Sequence, residues 1–355
     1  MNQVIASRVW LRRNLFSDAF SSMTTLLLLA GAFYWLPGLI DWMLLQAVFK
    51  PDAAACQAVN HAGACWGVVA EKYRFILFGR YPHAEQWRPL LATALLLGVI
   101  VASGLRLLNL RSLVTAWALA LPAFFILMGG SSFGLTPVAS DQWGGFPLTL
   151  LLATMGMVLA FPLAILVALG RQSALPLLRG LCTLYVELVR GVPLISVLFL
   201  ASFVFPIILP QGFAIDVLLR VQAGIVLFAA AYLSETIRGG LQSVRADQHD
   251  AAAALGLSRW QAMRWVILPQ ALRAVVPSMM NSAVSVFKDT SLVTVVSLYE
   301  LTGSLSLALA GDAEWRSFYL EGYLFIGLIY WIGCYSMSRF SRGMESKVGA
   351  GGTAM

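Results

Sequence analysis

Lys288 and Asp289 are adjacent charges inside a run of otherwise apolar residues, and Thr290 and Ser291 follow them directly. Those types in that order offer ionic and hydrogen-bonding chemistry. Neighbouring residues on a helix point well apart, so the two charges cannot simply neutralise each other. At four-residue spacing their own helix offers Val284, Ser285, Leu292 and Val293, none of them charged. A charge near the middle of a bilayer costs ~2.5–3.5 kcal/mol. Partners must therefore come from other helices, a sister chain, water or a ligand. Glu235 is one candidate for Lys288, and Arg190 is one for Asp289. Two readings stay open. Asp289, Thr290 and Ser291 line a polar path and read an ammonium group, or the charges form a network that fixes packing or gates the inner mouth.

Glu187 and Arg190 stand one helical turn apart beside Gly191 and Pro193. They suit an i, i+3 pair, at a helix end or against a ligand. A third feature is DAAAALGLSRWQAMRWVILPQA, residues 250–271. Asp250 before four alanines predicts a helix start. Gly256 permits a left-handed break, and Ser258 is a natural N-cap for a second helix. That helix puts Trp260, Met263 and Ile267 on one face, and Pro269 is expected to end it. A helix–glycine–helix of this kind suits docking into a partner's groove or lying on lipid headgroups.

Other chemistries find no residues here. The lysines are Lys50, Lys72, Lys288 and Lys347, and none follows a glycine, so the chain has no ATP-binding P-loop. His61, His83 and His249 lie in expected loops without metal-ligand spacing. No metal site and no catalytic residue is expected.

The elements that position these residues are set by composition. Of 355 residues, 59% are hydrophobic and 12% charged, and the mean hydropathy is +0.79. This predicts an all-α polytopic membrane protein. The net charge of +7 marks loops rather than nucleic-acid binding, because no basic stripe with interleaved aromatics accompanies it. Eight apolar runs of spanning length lie near 23–45, 89–108, 113–130, 147–170, 190–209, 218–237, 272–298 and 318–338. With the N-terminus in the cytoplasm, sixteen arginines and lysines fall on that side and seven on the other, with Lys288 inside a span. The C-terminus then returns to the cytoplasm. Cys56 and Cys65 share the long outer loop, 46–88, which predicts a disulfide on the oxidising side.

The module and its surroundings also carry a resemblance. Asp250-Ala251-Ala252, then Gly256-Leu257, then Ile267-Leu268-Pro269 resembles the Glu-Ala-Ala coupling loop of ABC importer permeases. Glu187-Leu188-Val189-Arg190-Gly191-Val192-Pro193-Leu194, Ala231-Tyr232-Leu233-Ser234-Glu235-Thr236-Ile237-Arg238-Gly239-Gly240 and Lys288-Asp289-Thr290-Ser291-Leu292 resemble motifs of the polar amino acid branch. The added spans and the cysteine loop look like the long general L-amino acid permease subunits. Two departures stand out: Asp250 replaces the usual glutamate, and Asp247 stands where glycine is usual.

The resemblance implies a type I ABC importer permease core with three extra N-terminal spans. Residues 1–146 would be the N-terminal extension, 147–342 the core with its coupling loop at 245–271, and 343–355 a cytoplasmic tail. The implied activity is ATP-driven amino acid import by alternating access. The implied partners are a cytoplasmic ATPase dimer that binds ATP and Mg, a second permease subunit, a periplasmic amino acid-binding protein and the lipid bilayer. Asp250, Ala251, Ala252, Gly256, Leu257 and Pro269 would couple to the ATPase. Glu187, Arg190, Glu235, Lys288, Asp289, Thr290 and Ser291 would line or gate the path. The competing class is a gradient-driven secondary transporter, which would show inverted repeats.

Overall fold

The computed structural model describes residues 10–59, 62–105, 107–130, 134–208, 210 and 215–352. Arg8, His61 and Arg106 lie outside the described residues. Within them the chain is helical, with two isolated β-bridges as its only extended pairing. Six helices are long and apolar enough to cross a membrane, or seven if one bent pair counts as a span. The chain divides into two compact units, Met1–Lys72 with Ala313–Gly322 and Tyr73–Asp312 with Tyr323–Met355.

In the first unit, α1 (Ala19–Ile40) starts at Asp18, whose carboxylate accepts the Ser21 amide at 2.8 Å. No α1 side chain is buried, and at 1.5 Å per residue the helix is about 33 Å long, enough for the bilayer core. A short helix, α2 (Ala53–Ala58), then carries Cys56, which is joined to Cys65 with Cα atoms 5.4 Å apart. The Trp66 indole donates to Met43 O at 2.9 Å, and the buried Glu321 carboxylate accepts the Cys65 amide at 2.9 Å. Close backbone approach explains Gly63, where a Cβ would lie 2.0 Å from Gln46 O.

The second unit opens with the end of α3 (Gly67–Phe78) and the hairpin of α4 (Trp87–Gly104) and α5 (Leu110–Gly129). Arg88, at the end of the expected outer loop 46–88, is wholly buried at the start of α4. It donates to Leu127 O at 2.7 Å and Thr136 O at 2.9 Å, with Glu85 at 3.6 Å. Tyr81 donates beside it to Met128 O at 2.9 Å, and burial pushes its phenol up to about 12.

The core is built on α6 (Gly145–Arg171), α9 (Val217–Ser243) and α12 (Leu268–Asp289). The α6 and α9 helices run parallel. Ser140 bonds the α9 N-cap Asp216 at one end, and Arg171 bonds Glu235 at the other. The antiparallel α12 packs on both. A Cβ on Gly240 would lie 2.5 Å from Val275, and one on Gly156 would lie 2.9 Å from Ile225. Small residues thus allow the close packing that membrane helices rely on.

Two expected spans differ from what the structure holds. The run at 190–209 is not a straight span. The amphipathic α7 (Pro176–Arg190) precedes it, and the chain bends by 106° before Leu194–Ile208, whose first turn is α8 (Leu194–Phe199). Pro193 removes a helical donor and restricts Val192, so the bend falls there. The run at 272–298 is helical only to Asp289. Thr290–Val296 tightens into a 3₁₀ turn, and Ser297 takes φ 65°. Thr290 and Ser291 hydroxyls donate back to Phe287 O and Lys288 O, both at 2.8 Å, which favours the tighter turn. The remaining helices are α10 (Ala246–Ala254), α11 (Arg259–Ala262), α13 (Leu301–Ala310) and α14 (Tyr319–Gly352).

Candidate functional site

The 246–271 module is the first of three polar or exposed assemblies. Its first helix begins at Ala246, after the N-cap Arg245, so Asp250 sits mid-helix and Asp247 supplies the first-turn acid. The expected start at Asp250 is therefore one turn late, because Ala246 and Asp247 already suit a first turn. Gly256, at φ 76°, ends α10. The Leu257 amide donates to Ala252 O at 3.1 Å and the Gly256 amide to Ala253 O at 2.9 Å. This is the Schellman pattern, which needs a left-handed residue at the position of Gly256. Ser258 and Gln261 then form a reciprocal capping box at the start of α11.

Pro269 does not end the second helix. Met263–Ile267 widens into a π turn in which Leu268 N–H reaches Met263 O, and α12 continues from Leu268 with Pro269 in its first turn. A first-turn proline loses no helical bond, so the chain passes through it. The expected face splits: Ile267 is buried, but Trp260 is 63% exposed. Trp265, at 66%, and Leu255, at 80%, join Trp260 on the surface. Asp250, Ala251, Gly256 and Pro269 are also exposed, Leu257 is half-buried, and Ala252 packs inward.

The second assembly centres on Glu235 in α9. Its carboxylate pairs with Arg171 of α6, with Arg238 one turn on, and with Arg190 of α7 at 3.9 Å. Arg171 also reaches Glu187 at 3.4 Å. The Arg190 guanidinium lies 5.5 Å above the Tyr232 ring. The pairings expected above are thus replaced. Glu235 serves arginines and not Lys288, Arg190 serves Glu235 and not Asp289, and Glu187 pairs with Arg171 and not Arg190. The bend after Gly191 and the parallel run of α6 and α9 bring the helix ends together. Arg171 is not legible as a partner in the sequence because its contact depends on that packing; Arg238, at i, i+3 from Glu235 on α9, is legible.

The third assembly surrounds Lys288 and Asp289, which face different spaces, as a 100° step requires. Asp289 lines a cavity of about 390 Å³ with Phe228, Ala229 and Tyr232 of α9 and Asn281, Ser282, Ser285 and Val286 of α12. Lys288 lines another of about 300 Å³ with Ser291, Thr302, Tyr323, Ile326, Gly327 and Tyr330. Neither charge forms an ion pair among the described residues. Along α12, Ser278, Asn281, Ser282, Ser285 and Asp289 recur at three- and four-residue spacing on one face. That three- and four-residue spacing is legible in the sequence, but which face of α12 borders a cavity is set by packing. Behind it lies Glu300, wholly buried, which caps α13. It accepts from Tyr330 OH at 2.6 Å, Thr302 N at 2.8 Å, Thr149 Oγ1 at 3.0 Å, Gly303 N at 3.2 Å and Thr294 Oγ1 at 3.3 Å.

A multi-pass helical chain with a polar stripe on a core helix and an exposed, capped helix–glycine–helix between two core helices is built as the membrane subunit of a transport system. Residues 160–349 match the family of binding-protein-dependent transport system inner membrane components, and the chain belongs to that family. It is 40% identical over 97% of its length to the inner membrane amino-acid ABC transporter permease protein YhdY of Escherichia coli K12, covering 94% of that protein. It is 34% identical to the glutamate/glutamine/aspartate/asparagine transport system permease protein BztC of Rhodobacter capsulatus, covering 96% of this chain and 93% of that one. Among solved structures it resembles a chain of an amino acid ABC transporter crystallised with histidines. The TM-score is 0.52 and the identity 26%, over 57% of this chain and 92% of the other. The chain is a multi-pass inner-membrane permease subunit of an ABC importer, a class that works with an ATPase and is not itself an enzyme.

Proposed function

We propose that this chain is the permease subunit of an ATP-driven amino acid importer and that the stripe on α12 lines its path. The observation that carries the reading is that Ser278, Asn281 and Ser285 are exposed, and Ser282 and Asp289 half-exposed, on a core helix of a membrane protein. Lipid does not tolerate such a face, so it borders water, substrate or a second permease subunit. Asp289 is the acid in a cavity lined otherwise by aromatic, hydroxyl, amide and small aliphatic groups. That chemistry suits an amino acid's ammonium group.

The exposed module, with Leu255, Trp260 and Trp265 outward, docks into a cytoplasmic ATPase dimer, where ATP and Mg are bound. Exposed apolar side chains clustered on a short capped element mark a protein contact. Closure of the ATPase pulls on α10, and the π turn passes the motion without a break into α12. The Glu235 network gates the path where α6, α7 and α9 meet. A periplasmic amino acid-binding protein delivers cargo to the other end, and both termini lie in the cytoplasm.

The test is uptake of radiolabelled L-amino acids by the complete importer in proteoliposomes, comparing wild type with Asp289→Asn. Removing the charge from the path should cut uptake about tenfold or more, the equivalent of ~1.4 kcal/mol. Wild-type uptake by an assembled Asp289→Asn complex would remove the substrate role. It would leave packing as the reason for the acid.

A further inference from the structure

The family match begins at residue 160, and the chain carries a long section ahead of it. One turn of that section, Leu77–Arg80, is built into the core at the end of the bundle away from the 246–271 module. Gly79 has φ 62°, and a Cβ on it would lie 2.7 Å from Gly144 Cα. A Cβ on Gly145, at φ 64°, would lie 2.1 Å from Leu77 O. One on Gly144 would lie 2.7 Å from Tyr299 O. Three stretches of main chain are therefore in direct contact: the turn, the start of α6 and the loop at Tyr299. The Gly145 amide donates to Tyr299 O at 3.0 Å, and Ser304 Oγ donates to the same oxygen at 2.7 Å.

Arg80 closes this junction with its side chain. Its guanidinium donates to Asp141 O and lies 5.2 Å above the Tyr299 ring. Next to Asp141, Ser140 bonds Asp216, the cap of α9. Tyr299 is ten residues after Asp289, and Glu300 beside it holds Thr149, Thr294 and Tyr330. A cation over an aromatic face, with a hydrogen bond fixing its other end, restrains the ring. Arg80 is itself exposed, so removing it takes no volume from the core.

We infer that Arg80 is a positioning residue for transport: through Tyr299 it holds the segment that follows Asp289, so the N-terminal section sets the far end of the path. The inference rests on the reading of Asp289 as part of that path. It assigns the turn at Leu77–Arg80 a role in the transport cycle.

The experiment is uptake by the complete importer in proteoliposomes for Arg80→Ala, Tyr299→Ala, Tyr299→Phe and the double alanine variant. Each is measured across a range of binding-protein concentrations. Arg80→Ala should lower turnover about fivefold, with half-saturation changed less than about twofold. Tyr299→Phe keeps the ring and should stay close to wild type. The double variant should be no slower than the slower single, because both remove one contact. Wild-type turnover in assembled Arg80→Ala, or losses that multiply in the double variant, would overturn the inference. If Arg80→Ala fails to assemble, Arg80→Gln decides. It keeps a donor for Asp141 O and loses the cation, so reduced turnover supports the role and wild-type turnover sinks it. Asp289→Asn in parallel separates the two readings. Full uptake there with a slow Arg80→Ala would reject the path role of Asp289 and leave the Arg80–Tyr299 coupling standing.

Discussion

Glu235 and Glu300 show how differently two carboxylates serve this fold. Glu235 is partly exposed and holds arginines from three helices. Glu235→Gln would leave Arg171, Arg190 and Arg238 close together without their shared anion. Like charges then repel, and charge-assisted bonds worth about 1.5–3 kcal/mol each in favourable cases weaken. Solvent at this site discounts that figure. The expected outcome is a lower melting midpoint in detergent, together with ATP hydrolysis by the complete importer that no longer depends on cargo. A variant with an unchanged midpoint and full cargo dependence would show that the network neither braces nor gates the helix ends. Glu300 is wholly buried and surrounded by donors. Glu300→Gln would replace an acceptor oxygen by an amide that donates, facing groups that also donate. The expected loss is about 1–3 kcal/mol of stability, read as reduced yield of folded protein and a lower melting midpoint.

At the scale of an element, the informative unit is the pair of short helices joined at Gly256. Nothing lies within 4 Å of a Cβ placed there, so the requirement is conformational and not steric. An alanine at φ 76° costs about 1–2 kcal/mol. Gly256→Ala should therefore shift the angle between α10 and α11 while leaving the buried core untouched. The expected result is a permease that folds in normal yield but captures less ATPase and stimulates less hydrolysis. Wild-type stimulation would mean that the angle does not matter for coupling. The π turn at Met263–Ile267 belongs to the same argument. On the proposed coupling, a push on α10 travels through this unbroken helix, with Pro269 in the first turn of α12, to the stripe.

For the whole molecule, the disulfide-stapled loop belongs to the first of the two units. The staple closes a short loop, and a cross-link of that span restricts the unfolded chain by about 2–3 kcal/mol. Cys56→Ser should open the 46–72 region to limited proteolysis at a protease level that leaves wild type intact. Cleavage sites mapped by mass spectrometry check this. The same digestion pattern in both proteins would show that the hydrogen bonds around Trp66 and Cys65 hold the loop unaided.

Composition, apolar run length and the charge of loops were enough to predict a multi-pass helical chain, because a bilayer imposes one solution on the backbone. The left-handed Gly256 and the Ser258 cap were also legible, since capping is local chemistry between residues a few positions apart. The start of α10 lies one turn before Asp250, because Ala246 and Asp247 already suit a first turn. Other features depended on distance in space. Two partners of Glu235 come from α6 and α7, and two donors to Glu300 come from α6 and α14. Arg80 meets Tyr299 across more than two hundred residues. Charges inside an apolar chain announce that they need partners. Only the packing of helices, set by small residues such as Gly156 and Gly240 and by the bend at Pro193, decided which partners they meet.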